Sequence, residues 1–136
     1  LDSCFLAFLR ILNVQTHKVY RIINLDYEIP AGVAEPDDAS MLAAAQRELA
    51  EETGYGGGQW RELMVVAPNP STQNNLTYCY LATGVERLGE QHLDATEDIR
   101  VHLFSGAEVR DLLESGRIRQ ALMAAPLWRY AAEYGL

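Results

Sequence analysis

The sequence predicts a mixed α/β domain of the α+β type, in which helices pack on a β-sheet. Strand-like apolar runs lie on both sides of an alanine-rich helical segment, and two more helical segments close the chain. The length of 136 residues, with 49% hydrophobic and 22% charged residues, suits one hydrophobic core. We therefore predict a single domain over residues 1–136.

The predicted strands are short apolar runs rich in β-branched and aromatic residues. The first two follow one another without a clear turn signal. The predicted strands cover residues 3–9, 11–20, 60–66, 76–83 and 99–104.

Three helices are predicted, each from helix-forming composition and end signals. The first covers residues 39–53, with Ser40 or Asp38 as its N-cap and Gly54 at its end. Ser105 precedes the second helix, at 106–114, and the third covers about 118–133.

Charge and cysteine content exclude several classes of protein. The net charge of −8 argues against a general nucleic-acid binder, because an acidic surface repels phosphates. No apolar run approaches the roughly 20 residues of a membrane helix, and the start of the chain lacks a basic leader. Cys4 and Cys79 are interpreted as two free thiols, which predicts a reducing, cytoplasmic setting.

An acidic cluster near the end of the first predicted helix carries the strongest functional signal. At about 100° per residue, Glu48, Glu51 and Glu52 share one stripe of the helix. Like charges at this spacing cost about 0.2–0.5 kcal/mol, and the helix dipole disfavours anions at a C-terminus. Such violations of local rules tend to mark functional sites, and Mg²⁺ would relieve both penalties. The alternative is a solvated acidic face.

The stretch from Glu28 to Tyr55 resembles the Nudix box of the Nudix hydrolase family. Gly32 occupies the first position of the box, and residues 47–55 match its second half completely. The box therefore covers residues 32–55. Asp38 stands where the family has a glutamate, and one extra residue separates it from Arg47, which indicates a lengthened loop.

Two further segments, 97–101 and 112–118, resemble the ADP-ribose pyrophosphatase and nucleoside-diphosphate-sugar hydrolase branch of that family. The resemblance implies a Nudix fold, with a mixed sheet sandwiched between helices, and a homodimer. It also implies a Mg²⁺ cofactor, with Mn²⁺ as a possible substitute, and a small nucleotide-sugar substrate.

The resemblance assigns roles residue by residue. Glu51 and Glu97 are the expected catalytic residues, and Ala95 stands where many relatives have an acidic base. Asp94 precedes it by one position, so the base remains open. Lys18 and Glu28 are expected to contact substrate, with orientation of the loop as the alternative role of Glu28, and Arg47 is expected to pair with a carboxylate of the box. The expected metal ligands are the Ala31 carbonyl and the carboxylates of Glu48, Glu52 and Glu97.

The expected reaction is hydrolysis of the diphosphate bond of ADP-ribose or another nucleoside-diphosphate sugar. The products would be a nucleoside monophosphate and a sugar phosphate. Two alternatives stay open. One is a Nudix hydrolase of a dinucleoside polyphosphate, coenzyme A or an oxidised nucleotide, and the other is a Nudix ligand-binding module without turnover.

Overall fold

A computed structural model describes residues 4–10, 27–95 and 97–135 of the chain. The predicted strand at 11–20 and the predicted substrate contact Lys18 lie outside these residues. None of the helices in the described ranges is long and apolar enough to cross a membrane.

The main sheet has four strands in the order β2-β1-β5-β4. Strand β1 pairs in parallel with β2 and antiparallel with β5, and β5 pairs antiparallel with β4, so the sheet is mixed as predicted. A second sheet pairs two short strands, β3 and β6. The strands are β1 Cys4–Arg10, β2 Ala31–Gly32, β3 Tyr55–Gly56, β4 Gln59–Val66, β5 Thr77–Thr83 and β6 Glu86–Arg87.

Helices cover both faces of the main sheet, which confirms the predicted sandwich. Alternate residues of a strand point to opposite faces. On β5, Cys79 and Leu81 pack into a core cluster with residues of the two C-terminal helices. Between them, Tyr80 packs against Ala44 and Ala45 of the first helix. The helices are α1 Met41–Thr53, α2 Gly106–Glu114 and α3 Ala121–Tyr134.

Local signals set both ends of α1. The Ser40 hydroxyl accepts a hydrogen bond from the Ala43 amide at 3.0 Å, as an N-cap does. Gly54 ends the helix in the left-handed conformation, with φ of 75°, where glycine carries no steric penalty. The helix therefore begins at Met41, two residues later than predicted, and ends at the predicted residue.

The two C-terminal helices differ in how well their starts were predicted. Helix α2 has the predicted bounds, and Ser105 and Glu108 form a reciprocal capping box at its start. Helix α3 begins at Ala121, three residues later than predicted, because Gln120 has an extended backbone and is the N-cap.

The predicted strand at 99–104 is wrong. These residues form no strand, and no strand in the described ranges pairs with them. Leu103 is 65% exposed and Phe104 39% exposed, so these two apolar side chains do not enter a core as those of a half-buried strand would. Instead, the Phe104 ring meets Tyr27 edge-on, with ring centroids 5.2 Å apart.

Candidate active site

The end of α1 carries the three predicted carboxylates. Leu49 is fully buried against the sheet, which fixes the rotation of the helix about its axis. Glu52 is consequently only 9% exposed, while the Glu48 side chain is 13% exposed and that of Glu51 is 43% exposed. The acidic stripe is therefore a partly buried cluster rather than a solvated face.

Arg47 holds one side of this cluster together. Its guanidinium donates to Glu48 at 3.0 Å and to Glu51 at 2.9 Å, which confirms the prediction that it pairs with carboxylates of the box. It also forms a two-point contact with Asp38, at 3.2 and 3.0 Å, and donates to the Val33 carbonyl. The Asp38 hydrogen bonds raise the pKa of Arg47 above its ordinary value. Arg47 is therefore a permanent cation that links the loop to the helix.

Asp38 shows how the chain accommodates its departure from the family pattern. Its carboxylate accepts the Glu35 amide at 2.8 Å as well as the two Arg47 nitrogens. The Arg47 hydrogen bond lowers the pKa of Asp38. The shorter acid on a lengthened loop thus still reaches the arginine of the box.

Strand β2 lies directly against the carboxylates of α1. The Ala31 amide donates to the Glu52 carboxylate at 3.1 Å. A Cβ at Gly32 would lie 1.9 Å from the carboxyl carbon of Glu48, so only glycine leaves room for this carboxylate. The first glycine of the box is therefore explained by close approach to Glu48.

Electrostatics at the cluster favour a bound cation. Burial raises the pKa of Glu52 to about 8, although the Ala31 hydrogen bond opposes this rise, and the charges of Glu48, Glu97 and Glu28 add to it. Burial likewise raises the pKa of Glu48, against the opposing effect of Arg47. A divalent cation would compensate for the desolvation of these carboxylates.

Glu97 is exposed and lies in the 88–105 segment, which follows β6 and whose described residues, 88–95 and 97–105, form neither helix nor strand. Its carboxylate accepts the Asp94 amide at 2.9 Å, and its own amide donates to the Asp94 carbonyl at 2.9 Å. Its negative charge nevertheless helps to raise the pKa of both Glu48 and Glu52. In the described ranges, no three His, Cys, Asp or Glu side chains form a ready-made metal site.

Glu28 is exposed and adds its charge to the field at Glu52. Ala95 is also exposed, beside the Asp94–Glu97 turn. The structure thus brings Glu28 and Glu97 close enough for their negative charges to raise the pKa of Glu52.

A cleft of about 400 Å³ adjoins the end of α1. Its lining includes Arg87 and Arg100 and no acidic residue, although acids outnumber bases by 19 to 11 in the chain. Sequence reasoning missed this cleft, because it joins residues 53–55 to residues 87–103. The complete lining is Thr53, Tyr55, Arg87, Gln91, Ile99, Arg100, Val101 and Leu103.

Comparisons of the sequence with known proteins identify its family. The NUDIX domain model matches residues 9–124. Over 91 residues the chain is 31% identical to the CMP-5'-(N-acetyl-N-hydroxy-3-aminopropyl)phosphonate hydrolase of Streptomyces rubellomurinus (strain ATCC 31215). The aligned region covers 67% of this chain and 43% of that protein, so the chain matches less than half of the relative's length. With the family model matching most of its length, the chain belongs to the NUDIX domain family.

Proposed function

We propose that the chain is a metal-dependent pyrophosphohydrolase that cleaves the diphosphate bond of ADP-ribose or another nucleoside-diphosphate sugar. One observation carries this proposal: strand β2 packs on Glu48 and Glu52, through the Ala31 hydrogen bond and the space left by Gly32. This arrangement brings the backbone of Ala31 and Gly32 against two carboxylates at the end of one helix, and we propose the Ala31 carbonyl as the backbone ligand. Carboxylate and carbonyl oxygens are the ligands that Mg²⁺ prefers, together with substrate phosphates.

The donor set fits Mg²⁺, and Mn²⁺ would suit the same oxygens. Glu52 is buried with a backbone amide as its described partner, and burial raises its pKa to about 8, so a metal that displaces its proton would stabilise the ionised form of this carboxylate. The Ala31 carbonyl, Glu48, Glu52 and Glu97 would hold the ion. When bound, it would neutralise diphosphate charge and lower the pKa of an attacking water.

The protein's own groups would orient the reaction. Arg47 fixes the rotamers of Glu48 and Glu51, so that the carboxylates keep their arrangement while substrate enters. Glu51 supports the cluster, and Glu97 is our candidate for accepting the proton of the attacking water. Its position on an irregular segment lets it approach when substrate binds.

The basic cleft supports an anionic substrate. Arg87 and Arg100 line it, and guanidinium groups bind phosphoryl oxygens well. Arg87 already donates to the Glu90 carboxylate at 3.2 Å, so we assign the phosphoryl contact to Arg100. The cleft adjoins Thr53, next to Glu52, so we place one anionic end of the substrate there. The acidic cluster of α1 and the basic cleft would thus bind different parts of one substrate molecule.

A second candidate substrate is a nucleoside monophosphate joined to a phosphonate. The relative from Streptomyces rubellomurinus is named as a hydrolase of such a compound. A phosphonate linked to CMP keeps the anhydride between two phosphorus atoms and replaces the sugar. The proposed metal site would serve either substrate, because the reacting bond has the same charge distribution.

We also propose a cytoplasmic homodimer. Three large apolar side chains of the 88–105 segment are exposed, and burial of exposed apolar side chains favours association with a partner. These residues are Leu88, Leu103 and Phe104. In a reducing compartment Cys79 would remain a buried free thiol, and burial raises its pKa to about 12. Light scattering at micromolar concentration is expected to give the dimer mass.

A substrate panel tests the proposed function. ADP-ribose, hexose conjugates of nucleoside diphosphates, a CMP phosphonate and coenzyme A would be offered with Mg²⁺, and a phosphatase would release phosphate from the products. Turnover of the sugar conjugates supports the first candidate, and selective turnover of the CMP phosphonate supports the second. Tight binding without turnover of any compound would contradict catalysis.

A further inference from the structure

The side chain of Gln91 joins two parts of the molecule that are distant in sequence. Its amide nitrogen donates to the carbonyl of Glu52 at 2.6 Å and to the carbonyl of Ile99 at 3.1 Å. A primary amide nitrogen carries two hydrogens, so one atom can satisfy both acceptors. Gln91 therefore bridges the end of α1 and the 88–105 segment.

The bridge belongs to a larger contact at the end of α1. The last carbonyls of a helix lack partners within the helix and need donors from elsewhere. Here the His92 amide donates to the Glu51 carbonyl at 2.8 Å, and the Leu88 amide donates to the Gly54 carbonyl at 2.8 Å. Gln91 completes this set at Glu52, and its second hydrogen extends the contact to Ile99.

That extension reaches the part of the segment that carries Glu97. Ile99 lies two residues beyond Glu97, and residues 97–105 contain neither helix nor strand. The hydrogen bonds of Glu97 to Asp94 are local and do not tie it to α1. The Gln91 amide is thus a direct link between this stretch and the helix that bears Glu48 and Glu52.

We propose that Gln91 is a positioning residue, which sets the distance between Glu97 and the carboxylates of α1. This inference rests on the proposed function, because it assumes that Glu97 acts in the same reaction as Glu48 and Glu52. Gln91 also lines the cleft, but both hydrogens of its side-chain amide are directed to backbone carbonyls, so we assign its role to the placement of Glu97 rather than to substrate binding.

Gln91→Met tests the bridge, because methionine has a similar length and no hydrogen-bond donor. We expect kcat to fall about 10- to 100-fold, the range seen when groups supporting an active site are lost, with KM changed less than about twofold. Gln59→Met, at an exposed position at the start of β4, is the matched control and should retain wild-type kinetics.

A double-variant comparison separates positioning from general stability. If Gln91 acts through Glu97, adding Gln91→Met to Glu97→Gln should lower kcat by less than about twofold. An equal fold loss in both backgrounds would overturn the positioning role. It would leave the proposed function standing, because wild-type turnover is measured in the same assay.

A third measurement does not depend on turnover. Amide hydrogen exchange at residues 97–101 should be faster in Gln91→Met than in the wild type and in Gln59→Met, because the link to α1 is gone. Unchanged exchange there would overturn the proposal, even for a wild-type protein that is silent on every substrate of the panel.

Discussion

Helix α1 and the 88–105 segment both contribute acidic side chains to the candidate site, but they hold them in different ways. Glu48 and Glu52 lie on a capped helix with a buried face, between Ser40 and Gly54. Glu97 lies on irregular backbone, and tertiary contacts such as the Gln91 bridge hold its surroundings in place. The difference suggests a division between a rigid metal-binding element and an adjustable one that completes the site after substrate binds.

The largest kinetic effect outside α1 is expected at Glu97. Glu97→Gln removes a general base or ligand and keeps the size of the side chain, so turnover should fall about 10²- to 10⁴-fold, with a smaller change in substrate affinity. Steady-state kinetics on the best panel substrate measure both. The matched control is Glu114→Gln, at an exposed position of α2. Wild-type turnover of the Glu97 variant would contradict this division of roles, because Glu97 would then contribute nothing to catalysis.

A change at Gly32 should disturb the rigid element without unfolding it. In Gly32→Ala the new Cβ would displace the Glu48 carboxylate, which is the end of a flexible side chain. Activity should fall about 100-fold, as a misplacement of about 1 Å can cause. The melting temperature should fall by only a few degrees, because the Arg47–Glu48 ion pair that the displacement disturbs is worth about 1 kcal/mol or less. Gly89→Ala is the control, because a Cβ there meets nothing within 4 Å. If both variants kept full activity, the close approach of β2 to Glu48 would have no functional role.

The smallest effect is expected at the basic cleft. Arg100→Gln removes one exposed cation, which is worth about 1 kcal/mol or less, so KM should rise up to roughly fivefold with little change in kcat. The rise should shrink at high salt because exposed charges are screened. Arg129→Gln, on the exposed side of α3, is the control. An unchanged KM would place the anionic end of the substrate elsewhere.

The two regions also differ in how far the sequence predicts them. The bounds of α1 follow from signals within a few residues, since the cap at Ser40 and the stop at Gly54 act locally. Residues 99–104 alternate between apolar and polar types and so resemble a strand. A strand, however, also needs a sheet edge to pair with, and a local pattern cannot reveal that edge. Likewise, the partners of Gln91 are backbone carbonyls 39 and 8 residues away, and no side-chain pattern marks them.

The most direct test of the central claim is a Glu52→Gln variant compared with the wild type, with and without Mg²⁺. The amide oxygen of glutamine can still accept the Ala31 hydrogen bond, so the change removes the ability to ionise and largely preserves packing. Without metal at pH 7, burial keeps Glu52 largely protonated, because it raises the pKa of this carboxyl to about 8. The neutral glutamine of the variant resembles that protonated acid, so the two proteins should be equally stable to within about 0.5 kcal/mol.

With Mg²⁺ at 100 times its Kd, the wild type should gain about 2.7 kcal/mol of stability and the variant much less. Turnover of the variant should fall by more than about 100-fold, beyond the usual cost of losing a group outside the ligand shell. Glu86→Gln, at an exposed position of β6, is the control and should respond to Mg²⁺ as the wild type does. Thermal melts of the three proteins measure the stability gained from Mg²⁺, and a turnover assay measures their activity. An active Glu52→Gln variant with a wild-type response to Mg²⁺ would contradict the assignment of this cluster as the metal site.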